Sequence, residues 1–339
     1  MKRPHFKQEA MRHNIISGKE AANQNSDKGF AVMIVIVIML LVSFLAAQLI
    51  LNVRTELKVA FNAKQRATGL ALANAGVNLG LFRILDKPLS YINEDYETFH
   101  EAYEYAVYLP SGRVSYMVVN ESGKIDLNRI DDSLFKIFLE YMEVEDEDQE
   151  VIVDSVKDWA DSDDLHRLNG AEKDIYEELD DPYIPRNGRI QDPSEFFLVY
   201  GTDKLAKKFK ARDFFTVHNT NRKINFNSLT PSMLAFLAEG DEEKMQAYRD
   251  AKEEFGDLNL SHARLILGNE RFDRCSPFLI NKTSNNKYYT VIAKGEPGVV
   301  AEEQEEEDLK KKKPVLTVTA LVQITGSKVR YLSWQEGWS

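Results

Sequence analysis

An uncharged stretch near the N-terminus constrains this chain more than any other feature. No residue between Lys28 and Arg54 ionises at neutral pH. The apolar part of this stretch, Phe30 to Leu51, would form roughly 33 Å of helix at about 1.5 Å per residue, which matches the hydrocarbon core of a bilayer. We therefore predict one membrane-spanning helix over residues 30–51.

The residues before the stretch indicate what kind of span it is. A secretory signal peptide has its cleavage site after the apolar region, whereas here the small residue Gly29 lies between a charged leader and the apolar run. Cleavage after Gly29 would leave the hydrophobic helix on the mature chain. The alternative is an uncut single-span anchor with Lys28 as its cytoplasmic flank.

Lys28-Gly29-Phe30 and the apolar run resemble the class III leader of type IV pilins and type II secretion pseudopilins. The resemblance implies that a prepilin peptidase removes residues 1–29 and methylates the new N-terminal residue, Phe30. Most pilins carry a glutamate five residues into the mature chain, and such a buried anion needs a partner, which the amine of the subunit ahead can supply. Here that position is Ile34. A subunit without the glutamate needs no subunit ahead of it, so we expect this chain at the tip of a filament.

The charge distribution predicts orientation and excludes one class of ligand. Basic residues outnumber acidic ones in the leader, while the whole chain has a formal net charge of -11. The positive-inside rule therefore places the N-terminus in the cytoplasm and the body in the periplasm, anchored in the inner membrane. An acidic body lacks the cations that phosphate binding requires, so nucleic acid is not an expected ligand. The single cysteine, Cys275, cannot form an intramolecular disulfide and is expected to be a buried hydrophobic side chain.

The pattern after the span predicts the fold class. Apolar residues continue at helical spacing towards Pro88, and the small residues among them would let a sheet or another helix approach closely: Ala67, Gly69, Ala71, Ala73, Ala75 and Gly76. Alternating or apolar runs predict strands over 106–109, 113–120, 288–294, 315–325 and 328–334. An acidic and lysine-rich run over 302–313 is expected to be a solvated loop. The strands are split between the two ends of the chain, so the middle is predicted to be an insertion.

We therefore predict an α+β fold with a pilin-like long N-terminal helix packed on an antiparallel sheet, and a large, mostly helical inserted domain. The leader covers residues 1–29 and the transmembrane part of the helix 30–51. The pilin-like α/β domain is assigned to 52–120 and 285–339, and the inserted domain to 121–284.

The predicted insertion contains a near-repeat. Lys124-Ile125-Asp126-Leu127-Asn128 is echoed by Lys223-Ile224-Asn225-Phe226-Asn227. A helix is predicted after each copy, capped by Asp131 or Asp132 in the first and by Ser228 or Thr230 in the second. Neither copy is followed by the glycine-rich hairpin that DNA-binding helix-hairpin-helix motifs use, which argues against that function.

An ordered series of motifs lies between the two copies. It comprises Asp158-Trp159-Ala160-Asp161-Ser162-Asp163-Asp164, Gly170-Ala171-Glu172, Pro185-Arg186-Asn187-Gly188 and Ser194-Glu195-Phe196. This series resembles the type II secretion protein K family, the minor pseudopilins K. The resemblance implies a protein without enzymatic activity at the tip of the pseudopilus, where it initiates assembly and supports export of folded proteins across the outer membrane.

The same resemblance implies a set of partners. These are the minor pseudopilins I and J, the major pseudopilin, the prepilin peptidase and the inner-membrane assembly platform. Two alternatives remain open from the residues: a minor type IV pilin, and an uncut single-span membrane-anchored periplasmic protein. Ordinary minor pilins lack the inserted helical domain, and an uncut anchor would keep the leader.

The carboxylates of this region form a candidate site for a hard cation. Asp161, Asp163 and Glu172 have the spacing of positions 1, 3 and 12 of an EF-hand loop, but Leu165 and His166 occupy the fifth and sixth positions, so the segment is not an EF-hand. Paired carboxylates also serve in acid-base catalysis, but no nucleophile constellation accompanies these. The family resemblance implies calcium, and the candidate ligands are Asp158, Asp161, Asp163, Asp164 and Glu172.

Two other interpretations of these acids are retained. Asp158 and Asp161 could instead cap a helix or contribute to packing. A calcium ion could also bind elsewhere, in the acidic run over 302–308 or on the strand-bearing domain.

Overall fold

The structure is a computed structural model that describes residues 9–86, 99–281, 286–298 and 315–338, with side chains described from Phe30 onward and not for Trp338. The first eight residues of the predicted leader, the predicted loop over 302–313, Pro88 and the predicted boundary at 284/285 lie outside the described residues. The described chain divides into two compact units, residues 1–65 and 66–339.

One long helix dominates the N-terminal part. Helix α1 spans Glu9–Leu85. From Phe30 to Leu85 it is the one helix among the described residues that is long and apolar enough to cross a membrane, by length and composition. Its aliphatic side chains between Phe30 and Leu51 are exposed on all sides, which is typical of a helix surrounded by lipid. The prediction that helical structure continues past the span is confirmed.

The remaining elements alternate short strands and helices. The strands are β1 Glu104–Leu109, β2 Gly112–Asn120, β3 Ile125–Asp126, β4 Phe215–Thr216, β5 Ile224–Asn225, β6 Leu279–Ile280, β7 Tyr288–Pro297, β8 Leu316–Thr325 and β9 Lys328–Trp338. The helices are α2 Asp132–Tyr141, α3 Asp146–Ala160, α4 Lys173–Glu177, α5 Ala211–Phe214, α6 Pro231–Ala238, α7 Glu242–Phe255, α8 Leu260–Leu267 and α9 Asn269–Cys275. Short 3-10 helices cover Glu121–Gly123, Pro193–Leu198, Asp203–Lys207, Phe226–Ser228 and Ser276–Phe278.

Five strands form an antiparallel sheet in the order β1-β2-β7-β8-β9. Residues 66–85 of α1 pack on one face of this sheet, because glycines on both sides permit a close approach. A Cβ atom added at Gly76 would lie 2.8 Å from Ala293 Cβ, and one added at Gly295 would lie 2.1 Å from the carbonyl oxygen of Gly69. The predicted close approach is therefore confirmed at Gly69, Ala73 and Gly76, with the sheet as the partner, whereas Ala67 and Ala71 are exposed. The predicted α+β fold, with a long helix on an antiparallel sheet, is also confirmed.

A second hydrophobic cluster lies between β2 and β7 in the sequence. Its buried members fall between Ile125 and Leu279, whereas the cluster under α1 is built from residues 73–118 and 291–324. Phenylalanines fill its centre, and the ring of Phe138 contacts those of Phe214, Phe215 and Phe236 at centroid distances of 4.9 to 5.5 Å. The separation of the two clusters supports the inserted domain, whose boundaries remain a prediction.

The two copies of the near-repeat have similar local structures. β3 pairs in parallel with β4, and β5 pairs in parallel with β6. Of the candidate caps, Asp131 accepts a hydrogen bond from the Ser133 backbone N–H at the start of α2, and Thr230 accepts one from the Met233 N–H at the start of α6. Cys275 is buried, as predicted.

Candidate metal centre

The acidic motif folds around the end of α3 and the start of α4. Helix α3 ends at Ala160, and the irregular segment that follows leads to Glu172, the residue before α4. One oxygen from each of Asp161, Asp163 and Glu172 can be chosen so that all three lie within 4.8 Å of one another. Three carboxylate oxygens at this spacing could coordinate one cation.

Several oxygens at this site have no hydrogen-bond donor among the described residues. Glu172 is only 2% exposed, and neither of its carboxylate oxygens accepts a hydrogen bond. The same holds for Oδ1 of Asp161 and of Asn187, whereas Oδ1 of Asp158 has an ionic contact with Arg167. Buried acceptors without a partner are costly, at about 1–3 kcal/mol each and more when charged. A hard cation held by Asp161, Asp163 and Glu172 would compensate the buried carboxylate of Glu172, so these three residues fit a calcium ion.

The raised pKa values of the cluster also indicate that it has too little positive charge nearby. Burial, followed by repulsion from Asp158, Asp161 and Asp164, raises the pKa of Glu172 to about 7, and His166 opposes the shift. Burial also raises the pKa of Asp158 and of Asp161. The cluster therefore resists carrying all of its negative charges at neutral pH.

Arg167 is a cationic side chain that contacts two carboxylates of the cluster. Its Nε lies 3.2 Å from Asp158 Oδ1, and one of its terminal nitrogens lies 3.3 Å from Asp161 Oδ2. His166 instead contacts Asp174, with Nε2 and Oδ1 2.8 Å apart. The single charge of this guanidinium group does not neutralise the carboxylates of Asp158, Asp161, Asp163 and Glu172. A divalent cation would supply the missing positive charge.

The five carboxylates predicted from the sequence have different positions. Asp161, Asp163 and Glu172 come together. Asp158 forms the buried wall of the site, and its Oδ2 accepts a hydrogen bond from the Arg167 backbone N–H at 3.1 Å. Asp164 lies outside the group of three, and its Oδ1 accepts a hydrogen bond from Asn187 Nδ2 at 2.7 Å.

The structure agrees with the alternative interpretation of the acids. Asp161 is the C-cap residue of α3, and its backbone N–H donates to the carbonyl oxygen of Lys157. Asp158 is a packing residue within that helix, fully buried and held by the loop backbone. A structural role for Asp158 and a cation-binding role for its neighbours are compatible.

Two residues of the site were not predicted as functional. Asn187 adopts a left-handed backbone conformation with φ of 44°. Its side-chain Nδ2 donates to Asp164 Oδ1, while its Oδ1 has no donor among the described residues. The Asn187-Gly188 pair is a typical turn signal, but it does not show that the turn returns to the acidic loop. Gly170 contacts Asp158 so closely that no side chain fits there.

Gly170→Ala is expected to destabilise the protein by about 1–3 kcal/mol, the usual cost of overpacking. The new Cβ would lie 1.8 Å from Asp158 Oδ2, so the buried carboxylate or the loop would have to move. Gly188→Ala is the matched control, because its nearest contact is the Arg186 carbonyl oxygen at 3.9 Å. Chemical denaturation of both variants measures the difference. Equal stability of the two would show that the close approach at Gly170 has no energetic weight.

Stability in the presence of a chelator is expected to fall as the pH rises from about 5 to about 8. The pKa of Glu172 is raised from 4.5 to about 7 in the folded chain, so the folded state binds the extra proton. The resulting stabilisation is fully present below the unfolded pKa and is lost as the pH rises through about 7. Thermal unfolding of wild type and Glu172→Gln over this range measures the effect. The variant should show a weaker pH dependence, and an identical profile would contradict the assignment.

Comparisons with known proteins agree with the motif series. Residues 117–208, which include all five carboxylates, match the model of the family "Type II secretion system (T2SS), protein K". This part of the chain is similar to the protein K family, and the predicted resemblance is confirmed.

Two characterised relatives have the same description. The chain is 39% identical over 97 residues to the type II secretion system protein K of Pectobacterium carotovorum subsp. carotovorum, a match covering 29% of this chain and 30% of that protein. It is 31% identical over 84 residues to the protein K of Klebsiella pneumoniae, covering 25% of this chain and 26% of that protein. The matches thus span less than a third of the relatives' length.

A solved structure shares the fold over most of the chain. It is a chain of the GspK-GspI-GspJ complex from the type 2 secretion system of enterotoxigenic Escherichia coli, with a TM-score of 0.53 and 17% sequence identity. The match covers 83% of this chain and 99% of that one. At this identity the likeness shows the fold.

Proposed function

We propose that this chain is a minor pseudopilin of a type II secretion system, a structural protein at the tip of the pseudopilus that supports export of folded proteins across the outer membrane. The proposal rests on the order of three features along the chain. An apolar N-terminal helix comes first, and a segment similar to protein K then lies in the sequence between the first and last strands of a pilin-like sheet. The similarity to protein K argues against a minor type IV pilin.

The proposed partners are the counterparts of GspI and GspJ. The solved relative forms a complex with those two proteins. The major pseudopilin, the prepilin peptidase and the inner-membrane platform complete the proposed set, in keeping with the class III leader described above.

Calcium is the proposed ligand of the acidic site. The oxygen ligands would come from Asp161, Asp163 and Glu172, and neither oxygen of Glu172 has a hydrogen-bond donor among the described residues. Oxygen donors without sulfur ligands favour calcium over zinc. A bound ion would connect the end of α3, the loop and the start of α4. Its role would be to order this part of the inserted domain.

Processing at Gly29 tests the proposal. In a strain lacking the native gene, wild type is expected to have its N-terminus at Phe30, to be membrane-anchored and to restore secretion. Gly29→Val should remain uncut and fail to restore secretion, because a branched side chain replaces the small residue before the cut. Gly18→Val, which changes another glycine of the leader, is the matched control and should behave as wild type.

Mass spectrometry of the N-terminus and the amount of secreted protein in the medium are the two measurements. An uncut wild-type chain, in cells that process a control pilin, would contradict the pseudopilin assignment. Undiminished secretion in the deletion strain would contradict the role in export.

A further inference from the structure

The two edges of the five-stranded sheet differ in how the face under α1 is covered. At the β1 edge, Tyr105 is 7% exposed and stacks between Phe99 and Tyr116, with ring centroids 5.6 and 5.5 Å away. At the β9 edge, Tyr331 and Trp334 are 48% and 41% exposed. Their rings contact each other edge-on at 5.8 Å. The chain thus covers this face at one edge and leaves an aromatic pair exposed at the other.

The strand register shows that this pair lies on the same face as α1. Tyr331 is paired with Val322 and Trp334 with Ala320, and both β8 residues are fully buried in the cluster under α1. Directly opposed residues of antiparallel strands point to the same face of a sheet. The aromatic pair is therefore continuous with the surface on which α1 packs.

A β-bulge in β9 places Leu332 on the sheet face opposite to the aromatic pair. The register shifts between Leu321 and Val322, so Leu332 is the extra residue between the paired Tyr331 and Ser333. Leu332 is 37% exposed and lines a cleft on the opposite face of the sheet with Leu321. Leu332 is thus an exposed apolar residue on the same strand that does not share the surface of the pair.

The dimensions of the sheet leave space for another helix beside α1. Gly76 and Gly80 bring α1 into close contact with Ala293 and Val291 of β7, near the middle of the sheet. Five strands about 4.8 Å apart span roughly 19 Å between the outer two, while a helix with its side chains is about 10 Å wide. Helix α1 covers β7 and β8, whose residues on this face are buried, so a second helix beside it would lie over the edge strand β9.

We propose that an α-helix of a partner pseudopilin packs across Tyr331 and Trp334, parallel to the sheet-bound part of α1. This inference rests on the proposed function, which supplies a helix-bearing partner. The partner helix would present small or aliphatic residues, as α1 does on the neighbouring strands. Exposed aromatic residues of this kind are enriched at protein interfaces, where they supply large contact areas.

Addition of a partner strand to the free edge of β9 is the competing arrangement. Strand addition would use the backbone of β9 and would tolerate the loss of either aromatic ring. Helix packing would use the rings themselves. Substitution of the side chains therefore separates the two.

The test uses the full-length chain co-expressed with the two partner minor pseudopilins and purified in detergent. Tyr331→Ala with Trp334→Ala is expected to weaken the complex at least tenfold, whereas the control Leu332→Ala should change its affinity less than twofold. Both sets of residues are exposed, so the unfolding temperature of each variant alone should remain within a few degrees of wild type. A photo-crosslinking amino acid placed at position 334 should react with an N-terminal helix of a partner, and one placed at position 332 should not.

Three results would overturn the inference. Equal affinity of the double variant and wild type would remove the aromatic pair from the interface. Cross-links from position 334 to a partner strand would favour strand addition. Failure of the wild-type chain to form any complex would also reject the proposed function, whereas the first two results leave that function intact.

Discussion

Calcium is expected to raise the unfolding temperature of the full-length chain by roughly 5 to 10 °C relative to chelator. A ligand at about 100 times its dissociation constant stabilises the state that binds it by about 2.7 kcal/mol, which corresponds to a shift of this size in a domain of this length. The physical reason is the cluster of Asp161, Asp163 and Glu172, whose oxygens lie close together. Neither oxygen of Glu172 has a hydrogen-bond donor among the described residues, and Arg167 is too little positive charge for the group. Calcium at about 10 mM reaches this ratio for a weak site with a dissociation constant of about 0.1 mM.

Asp161→Ala with Asp163→Ala is expected to abolish most of this gain, because it removes two of the three converging carboxylates. Asp180→Ala with Asp181→Ala is the matched control: it removes the same charge from exposed residues of the same segment and should keep the calcium response. Differential scanning fluorimetry in calcium and in chelator compares wild type with the two variants.

Two outcomes would change the account of calcium. A wild-type unfolding temperature that is indifferent to calcium would reject the site. An unchanged response in the Asp161/Asp163 variant would move the ion elsewhere, to the acidic run over 302–308 or to the strand-bearing domain.

Local sequence signals predicted the main elements of the fold. The predicted strands over 106–109 and 113–120 correspond to the paired strands β1 and β2, and the cap residues of α2 and α6 were among the predicted alternatives. Strand ends were less accurate: β7 continues to Pro297 and β9 to Trp338, because cross-strand pairing extends them beyond the predicted 294 and 334.

Features that depend on contacts between distant segments were not predictable. The two-residue parallel pairs of β3 with β4 and of β5 with β6 join segments far apart in the chain. The same is true of the candidate metal centre, where the spacing of the acids indicated three converging carboxylates but not the return of Asn187 to the loop. The exposure of Trp334 also depends on how far α1 extends across the sheet, which no local pattern specifies.

Assembly with pseudopilins on one side only is the second large effect that we expect. In other pilins a glutamate at the fifth mature position pairs with the subunit ahead, but Ile34 offers no charge to such a subunit. The amine of Phe30 would still be available to the carboxylate of the subunit behind. Addition of the major pseudopilin should therefore lengthen the assembly without placing any subunit ahead of this chain.

Purification of the tagged full-length chain from membranes that contain the two partner minor pseudopilins and the major pseudopilin tests the central claim most directly. Native mass spectrometry is expected to find one copy of this chain with one copy of each minor partner. Cross-linking should place this chain at one end at every concentration of the major pseudopilin. Recovery of the chain without pseudopilins, in membranes where the partners are present, would contradict its assignment as a minor pseudopilin, and pseudopilins bound on both sides would contradict its place at the tip.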